Sequence, residues 1–298
     1  MTQPASHAGT HGGTRDGTHG GTHYFVPQPS HWMIFGSAAL LCMASGAASW
    51  FNGWSTGQYV VYAGLAILAF MMFRWFGDVV RESEAGKYGR WEDVSFRWGM
   101  SWFIFSEVMF FAAFFGALFY ARVNSVPDLG TVDQRLLWPD FSSQWPTSGP
   151  GQKDPFTPME AWGIPAINTL LLLSSGVTVT IAHWGLKEGR RAVLNLFLLA
   201  TIVLGFTFLS LQIHEYSHAY SELNLKLTTG IYGATFFMLT GFHGFHVTLG
   251  ATMLTVMLIR CLRGHFKPDH HFAFEAVAWY WHFVDVVWLG LFIFVYWL

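Results

Sequence analysis

The chain has 298 residues, of which 52% are hydrophobic and only 11% charged, with a formal net charge of −2. Soluble domains carry about 25% charged residues, so this composition excludes an ordinary soluble domain. With a near-neutral net charge, nothing suggests a nucleic-acid partner. With 29 Phe and 15 Trp, the chain reads as a polytopic helical membrane protein whose aromatics pack and mark the interfaces. Continuous rather than alternating apolar runs argue against a β-barrel. Cys42 and Cys261 fall in or near different runs with no CxxC pair, which offers neither a thiol redox motif nor a zinc knuckle.

Residues 1–31 hold five histidines among Gly and Thr, including the fragment G-T-H-G-G-T-H. The segment has no basic region followed by an apolar core, so it does not read as a cleavable signal. Its composition predicts a mobile Gly/His-rich tail, with metal binding or proton collection as the functional alternatives.

Seven apolar runs follow, near Trp32–Trp50, Tyr59–Phe76, Trp98–Tyr120, Ile164–Trp184, Ala192–Ile213, Ile231–Ile259 and Phe272–Leu298. Each suits a bilayer crossing of about 20 residues, which predicts an all-α protein with seven transmembrane helices. Residues 32–77 supply the first two, 78–97 an inside basic loop, and 98–298 a five-helix bundle with a long loop at 121–163. Gly36, Ser37, Gly46 and Ser49 in run one, and Ser174, Ser175 and Gly176 in run four, are small residues that let helices approach closely.

Twelve of the 16 basic residues fall in the tail and in the 2–3, 4–5 and 6–7 connections; Arg122, Arg135, Lys153 and Lys226 fall on the other side. By the positive-inside rule the N-terminus is cytoplasmic and Leu298 outside.

The ionisable residues within the runs carry the chemistry. Glu107 sits mid-run in S-E-V-M-F-F, with Phe103, Phe110 and Phe111 one turn away. It reads either as a proton-accepting or lipid-facing site, or as a neutral acid bonded to another helix. Run six places His243 and His246 at i, i+3 in G-F-H-G-F-H. Run seven carries Glu275, His282 and Asp285 on one helical stripe. Two histidines from one helix and a histidine with carboxylates from another fit either a metal site or a buried polar layer in which these five residues satisfy one another. The layer is the expectation, because HxxH alone is unspecific. A di-iron oxygenase would also need His265, His270 and His271, which lie several turns from His243 and His246 along the sequence. A proton-relaying transporter is the other class, but no inverted repeat or Gly/Pro-broken helix pair supports it. On the basic side, Arg74, Arg81 and Arg260, with Trp75, Trp91 and Trp98 near in sequence, suit phospholipid headgroups or simply set topology.

Several long motifs then occur in order. They are W-F-G-D-V-V-R-E-S (residues 75–83), S-E-V-M-F-F (106–111), N-T-L-L-L-L-S-S-G-V (168–177), Q-I-H-E-Y (212–216), Y-G-A-T-F-F-M-L-T-G-F-H-G-F-H-V (232–247) and H-H-F-A-F-E-A-V-A-W-Y-W-H-F-V-D-V-V-W-L (270–289). From Pro27 to Leu298 the chain resembles subunit III of the aa3-type cytochrome c oxidases. The resemblance implies helices 1–2 separated from the other five by a lipid-filled V-shaped cleft. It implies a subunit without a redox centre, metal or cofactor of its own: haem a and copper belong to subunits I and II, and cytochrome c is the substrate of the complex. It implies stabilisation of subunit I, support of its proton uptake, and structural phospholipids. By motif, Glu107 matches a buried helix-three glutamate. Arg81, Glu82 and Arg260, with Trp75 and Trp98, match headgroup positions; His243, His246, Glu275, His282 and Asp285 match structural polar contacts.

The chain departs from the family at His183-Trp184, where two histidines are frequent, and in E-A-G-K-Y-G-R-W after R-E-S, a loop that frequently carries histidines. The long 3–4 loop and the tail make it resemble a bacterial form, in the inner membrane with a cytoplasmic N-terminus and a periplasmic C-terminus.

Overall fold

The computed structural model describes residues 25, 29–131, 133, 136–151 and 155–298. The Gly/His-rich tail, apart from Phe25 and residues 29–31, lies outside the described residues. Regular structure among the described residues is helical, apart from one isolated bridge between Lys267 and His270. Among the described residues, seven helices are long and apolar enough to cross a membrane. We number them α1 Trp32–Phe51, α2 Gly57–Glu84, α3 Arg90–Tyr120, α4 Ile164–Lys187, α5 Arg191–Ser221, α6 Gly230–Leu262 and α7 Phe272–Leu291. α3 continues through a π-helical stretch, Ala121–Ser125, into Val126–Asp128, and α7 through Phe292–Trp297.

Several helices outrun their apolar runs. α2 reaches Glu84 and α3 begins at Arg90, so most of the stretch expected as a basic inside loop is helix. The reason is that polar side chains end an apolar run without ending backbone hydrogen bonding. Arg, Glu and Lys are good helix formers, and a helix projecting beyond the hydrocarbon remains satisfied by water.

The chain divides into two compact units, the first ending at Ser95 and the second Phe96–Leu298. In the first unit α1 and α2 form a hairpin closed on small residues. A Cβ on Gly46 would sit 2.7 Å from the Val61 amide nitrogen, and one on Gly64 2.7 Å from Met43 Cγ. These glycines allow near backbone contact where burying apolar side chains gives no driving force in lipid. Trp32 Nε1 donates to Asp78 Oδ2 at 2.6 Å. Glu92 Oε2 accepts from the Gly89 amide at 2.8 Å, closing the first turn of α3, and Glu92 Oε1 accepts from the Phe25 amide.

In the second unit α7 is the centre, and Trp281 explains why. Its indole is fully buried. A Cβ on Gly205 of α5 would come within 2.7 Å of that ring, and one on Gly250 of α6 within 2.8 Å. Its Nε1 donates to Ser175 Oγ of α4 at 2.8 Å. One side chain thus needs a glycine on each of two helices and a hydroxyl on a third. Two turns further along, Trp288 repeats the pattern: its Nε1 donates to Thr169 Oγ1 at 2.9 Å, and its ring meets Phe208 edge-on at 4.7 Å. Outside the helices, the Thr147 and Ser148 carbonyls accept from the Tyr232 and Ile231 amides at 3.3 Å each. Trp145 and Phe156 lie against the Tyr232 ring. The described part of the long loop is therefore fastened to the first turn of α6.

Candidate functional site

The second unit holds its ionisable groups in separate clusters rather than in the single layer expected from sequence. Glu107 of α3 meets His246 of α6, Oε2 to Nε2, at 2.8 Å. His246 Nδ1 lies 2.6 Å from the Phe242 carbonyl oxygen. A carbonyl only accepts, so Nδ1 carries a proton. Either Glu107 then donates a proton to a neutral Nε2, or a carboxylate meets an imidazolium. In both arrangements a single proton lies between the two side chains. The rings of Phe110 and Phe111 pack on the imidazole, with centroids at 5.9 and 5.0 Å. Glu107 is therefore not isolated: of the alternatives read from sequence, the acid bonded to another helix is the one present.

His243 does not join that pair. One turn of α6 separates them, and its ring lies 5.2 Å from Trp288 and 5.8 Å from Phe208, centroid to centroid. Neither of its ring nitrogens has a hydrogen-bond partner. It fills an aromatic pocket in the core.

Glu275 belongs to the opposite end of the bundle from the α5–α6 connection, in the first turn of α7. Arg97 Nη1 meets its Oε1 at 2.8 Å, and the same guanidinium lies 5.2 Å above the Phe272 ring. His183 of α4 and His271 at the start of α7 stand beside it, with ring centroids 5.4 Å apart. One ligand-type atom from each of His183, His271 and Glu275 lies within 4.8 Å of the others. This is the one group of three such residues among those described. His183 Nε2 and His271 Nδ1 have no hydrogen-bond partner. Two imidazoles and a carboxylate are a donor set that suits zinc, but Arg97 already supplies the positive charge that Glu275 needs, and a cation there would compete with it.

His282 and Asp285 form a third cluster, on the α4–α7 seam. His282 Nδ1 is 3.8 Å from Asp285 Oδ2, and His282 Nε2 is 3.3 Å from Thr180 Oγ1. The Asp285 carboxylate lies flat on α4 at Gly176, where any side chain would strike Oδ2. The expected polar layer is corrected accordingly. Of His243, His246, Glu275, His282 and Asp285, only the last two neighbour one another. The sequence period correctly put three residues of α7 on one stripe, but their partners Arg97, Thr180 and Gly176 come from other helices, which the period does not report. A further buried pair, Tyr296 donating to Glu215 Oε1 at 2.7 Å, was not singled out, although Glu215 stands inside the Q-I-H-E-Y motif.

The headgroup residues differ among themselves. Arg81 is exposed at the end of α2 and paired with Asp78. Glu82 accepts from the Tyr88 hydroxyl at 2.8 Å; burial in the connection, then the Glu82 bond, push the Tyr88 phenol above its ordinary pKa. Trp75 and Trp98 are exposed in their respective units. Arg260 is 7% exposed, with its guanidinium 4.5 Å above the Phe266 ring, an aromatic face that attracts a cation.

Seven membrane-length helices, two in a glycine-closed hairpin and the rest in a unit built around buried tryptophans and interhelical polar pairs, define an all-α polytopic membrane protein. The chain belongs to the cytochrome c oxidase subunit III family, whose model matches residues 22–298. It is 42% identical over 275 residues to cytochrome c oxidase subunit 3 of Struthio camelus, with 92% of this chain and 96% of that protein covered. Over 277 residues it is 42% identical to the subunit 3 of Latimeria chalumnae, again covering 92% and 96%. The subunit 3 of Dugong dugon is 43% identical over 275 residues with the same coverage. The chain is accordingly a multi-span membrane subunit of cytochrome c oxidase, an oxidoreductase complex of aerobic electron transport.

Proposed function

We propose that this chain is a non-catalytic subunit III that stabilises subunit I of a proton-pumping oxidase, supports proton uptake into it and binds structural phospholipids. Haem a and copper are then held by subunits I and II, and cytochrome c delivers electrons to the complex. The observation that carries this reading is the Glu107–His246 pair. An acid and a base well inside the span are spent on each other, across α3 and α6, with both imidazole nitrogens engaged. Such a pair fixes helix register and leaves no ring nitrogen for a cofactor. Glu275 is paired with Arg97, and His282 is engaged at one nitrogen, Nε2, through Thr180.

Support of proton uptake rests on the basic end, where Lys187, Arg190, Arg191, Arg263, His265, Lys267, His270 and His271 gather in the α4–α5 and α6–α7 connections. Arg191 donates to the Phe266 carbonyl and ties the two connections together. Histidine is the side chain suited to exchange protons near neutral pH. For phospholipid, exposed Arg81 with Trp75, and Trp98 in its own unit, are the candidates. The charge distribution favours a cytoplasmic N-terminus and a periplasmic C-terminus, and the long 3–4 loop and Gly/His-rich tail are the features that favour a bacterial inner membrane.

The test is removal of this chain from the assembled oxidase. We expect the haem spectrum and initial turnover to persist while activity decays sooner during sustained turnover. Immediate loss of haem absorbance, or an unchanged turnover lifetime, overturns the proposed role.

A further inference from the structure

His271 and Glu275 stand four residues apart at the start of α7, and the Glu275 amide donates to the His271 carbonyl at 3.1 Å. Residues at that spacing sit one above the other on a helix face. His183 reaches them from α4, one turn before that helix ends at Lys187. Its ring lies 5.4 Å from the His271 ring and 5.7 Å from the Phe274 ring, centroid to centroid. Two donors on one helical turn thus face a third from a neighbouring helix, and the buried Phe274 packs against the imidazole of His183.

One ligand-type atom from each of the three residues lies within 4.8 Å of the others. Tetrahedral zinc bound at about 2.0–2.1 Å keeps its ligand atoms about 3.4 Å apart, so the donors need close by only about 1.5 Å or less. His183 Nε2 and His271 Nδ1 are buried without a hydrogen-bond partner, which is unusual for polar atoms inside a protein. A neutral imidazole offers one lone pair, so each ring has bonding capacity to give. All three residues are partly exposed and lie close to helix ends, which lets an ion reach them from water rather than through lipid. The obstacle is Arg97, whose Nη1 holds Glu275 Oε1 at 2.8 Å. That guanidinium also rests 5.2 Å above the Phe272 ring, a cation-attracting face that retains it when the carboxylate turns away.

We propose that His183, His271 and Glu275 form a binding site for a divalent transition-metal ion of the zinc class, in which the ion and Arg97 are alternative partners of the Glu275 carboxylate. Zinc takes one nitrogen from each neutral imidazole and one carboxylate oxygen, and water completes the tetrahedron. The bound ion ties α4 to the first turn of α7, while Arg97 passes from its ion pair to the Phe272 face. With no ion bound, Arg97 supplies the positive charge that the carboxylate needs. The site is made of this chain's own residues and does not depend on the role proposed above.

Zinc binding to the whole, chelator-treated oxidase tests this, with zinc sulfate as the only added metal and the bound ions counted by mass spectrometry after equilibrium dialysis. We expect the parent to bind one zinc ion more than His183→Ala or Glu275→Gln at the same free zinc. Arg97→Gln removes the competitor and should tighten that one site several-fold. Zinc should also protect His183 and His271 of the parent chain from diethyl pyrocarbonate, read peptide by peptide. Failure of zinc to protect these two histidines overturns the site, as does equal zinc uptake by the parent and both ligand variants. Weaker zinc binding in Arg97→Gln than in the parent overturns the competition with Arg97. Protection is read on the parent chain, so a variant that fails to fold does not decide the matter.

Discussion

Replacing Glu107 separates a hydrogen-bonding role from a charge role. His246 Nδ1 is committed to the Phe242 carbonyl, so Nε2 depends on Glu107 for its one strong partner. Glu107→Ala leaves that nitrogen in a site walled by Phe110 and Phe111. An unsatisfied buried polar group costs about 1–3 kcal/mol, and the partial exposure of the Glu107 side chain places this one toward the lower end. Glu107→Gln keeps a donor at the same distance, since a Gln amide can donate to a neutral Nε2. Its cost should stay below about 1 kcal/mol, the net worth of an ordinary hydrogen bond. The assay is detergent titration of the assembled oxidase, following loss of this subunit together with the lifetime of sustained turnover. Glu107→Ala should lower subunit retention by roughly five-fold or more at fixed detergent, because about 1.4 kcal/mol is a factor of ten. Glu107→Gln should stay close to the parent, with the haem spectrum and initial rate unchanged in both. Equal losses for Gln and Ala would refute the reasoning, since an imidazolium–carboxylate pair, not a neutral bond, would then hold α3 to α6.

Trp281→Ala should be among the most damaging single changes, costing about 3–5 kcal/mol as a buried-indole truncation, whereas Trp281→Phe mainly loses the bond to Ser175, about 0.5–1.5 kcal/mol; thermal inactivation of the complex ranks the two. Arg97→Gln and Glu275→Gln should be non-additive in a double-mutant cycle read by the same inactivation, with a coupling of about 1 kcal/mol for this partly exposed pair. Tyr88→Phe probes alkaline pH. The raised phenol pKa favours the protonated form in the fold, so the stability Tyr88 lends is complete below its ordinary value of about 10 and is lost as pH rises beyond that. The parent and the Phe variant should therefore diverge most below pH 10, and a divergence that appears only above it would contradict the assignment.

Much of this architecture was legible in the sequence because the bilayer imposes length. Seven apolar runs became seven helices, and the small residues Gly46, Ser175 and Gly176 fell where backbones or side chains meet closely. Helix ends were not legible from hydropathy, since Arg81, Glu82 and Glu84 close an apolar run but continue a helix. Pairing was the least legible layer. Nothing in the spacing of α7 shows that Glu275 meets Arg97 from α3, or that His246 rather than His243 takes Glu107. Those choices depend on helix rotation, which tertiary packing around Trp281 and Trp288 sets. Arg260 illustrates the same limit: at a helix end it reads as a headgroup ligand, and only the fold shows its contact with Phe266.

The measurement that tests the central claim most directly is a mild-detergent purification through this chain, followed by a reduced-minus-oxidised optical spectrum. Membership of the oxidase as a non-catalytic subunit predicts haem a absorbance and copper co-eluting with two further membrane subunits, and no haem on this chain once it is stripped away. A chain that elutes alone and colourless under conditions that preserve other membrane complexes, or one that carries haem or non-haem iron after separation, would contradict it.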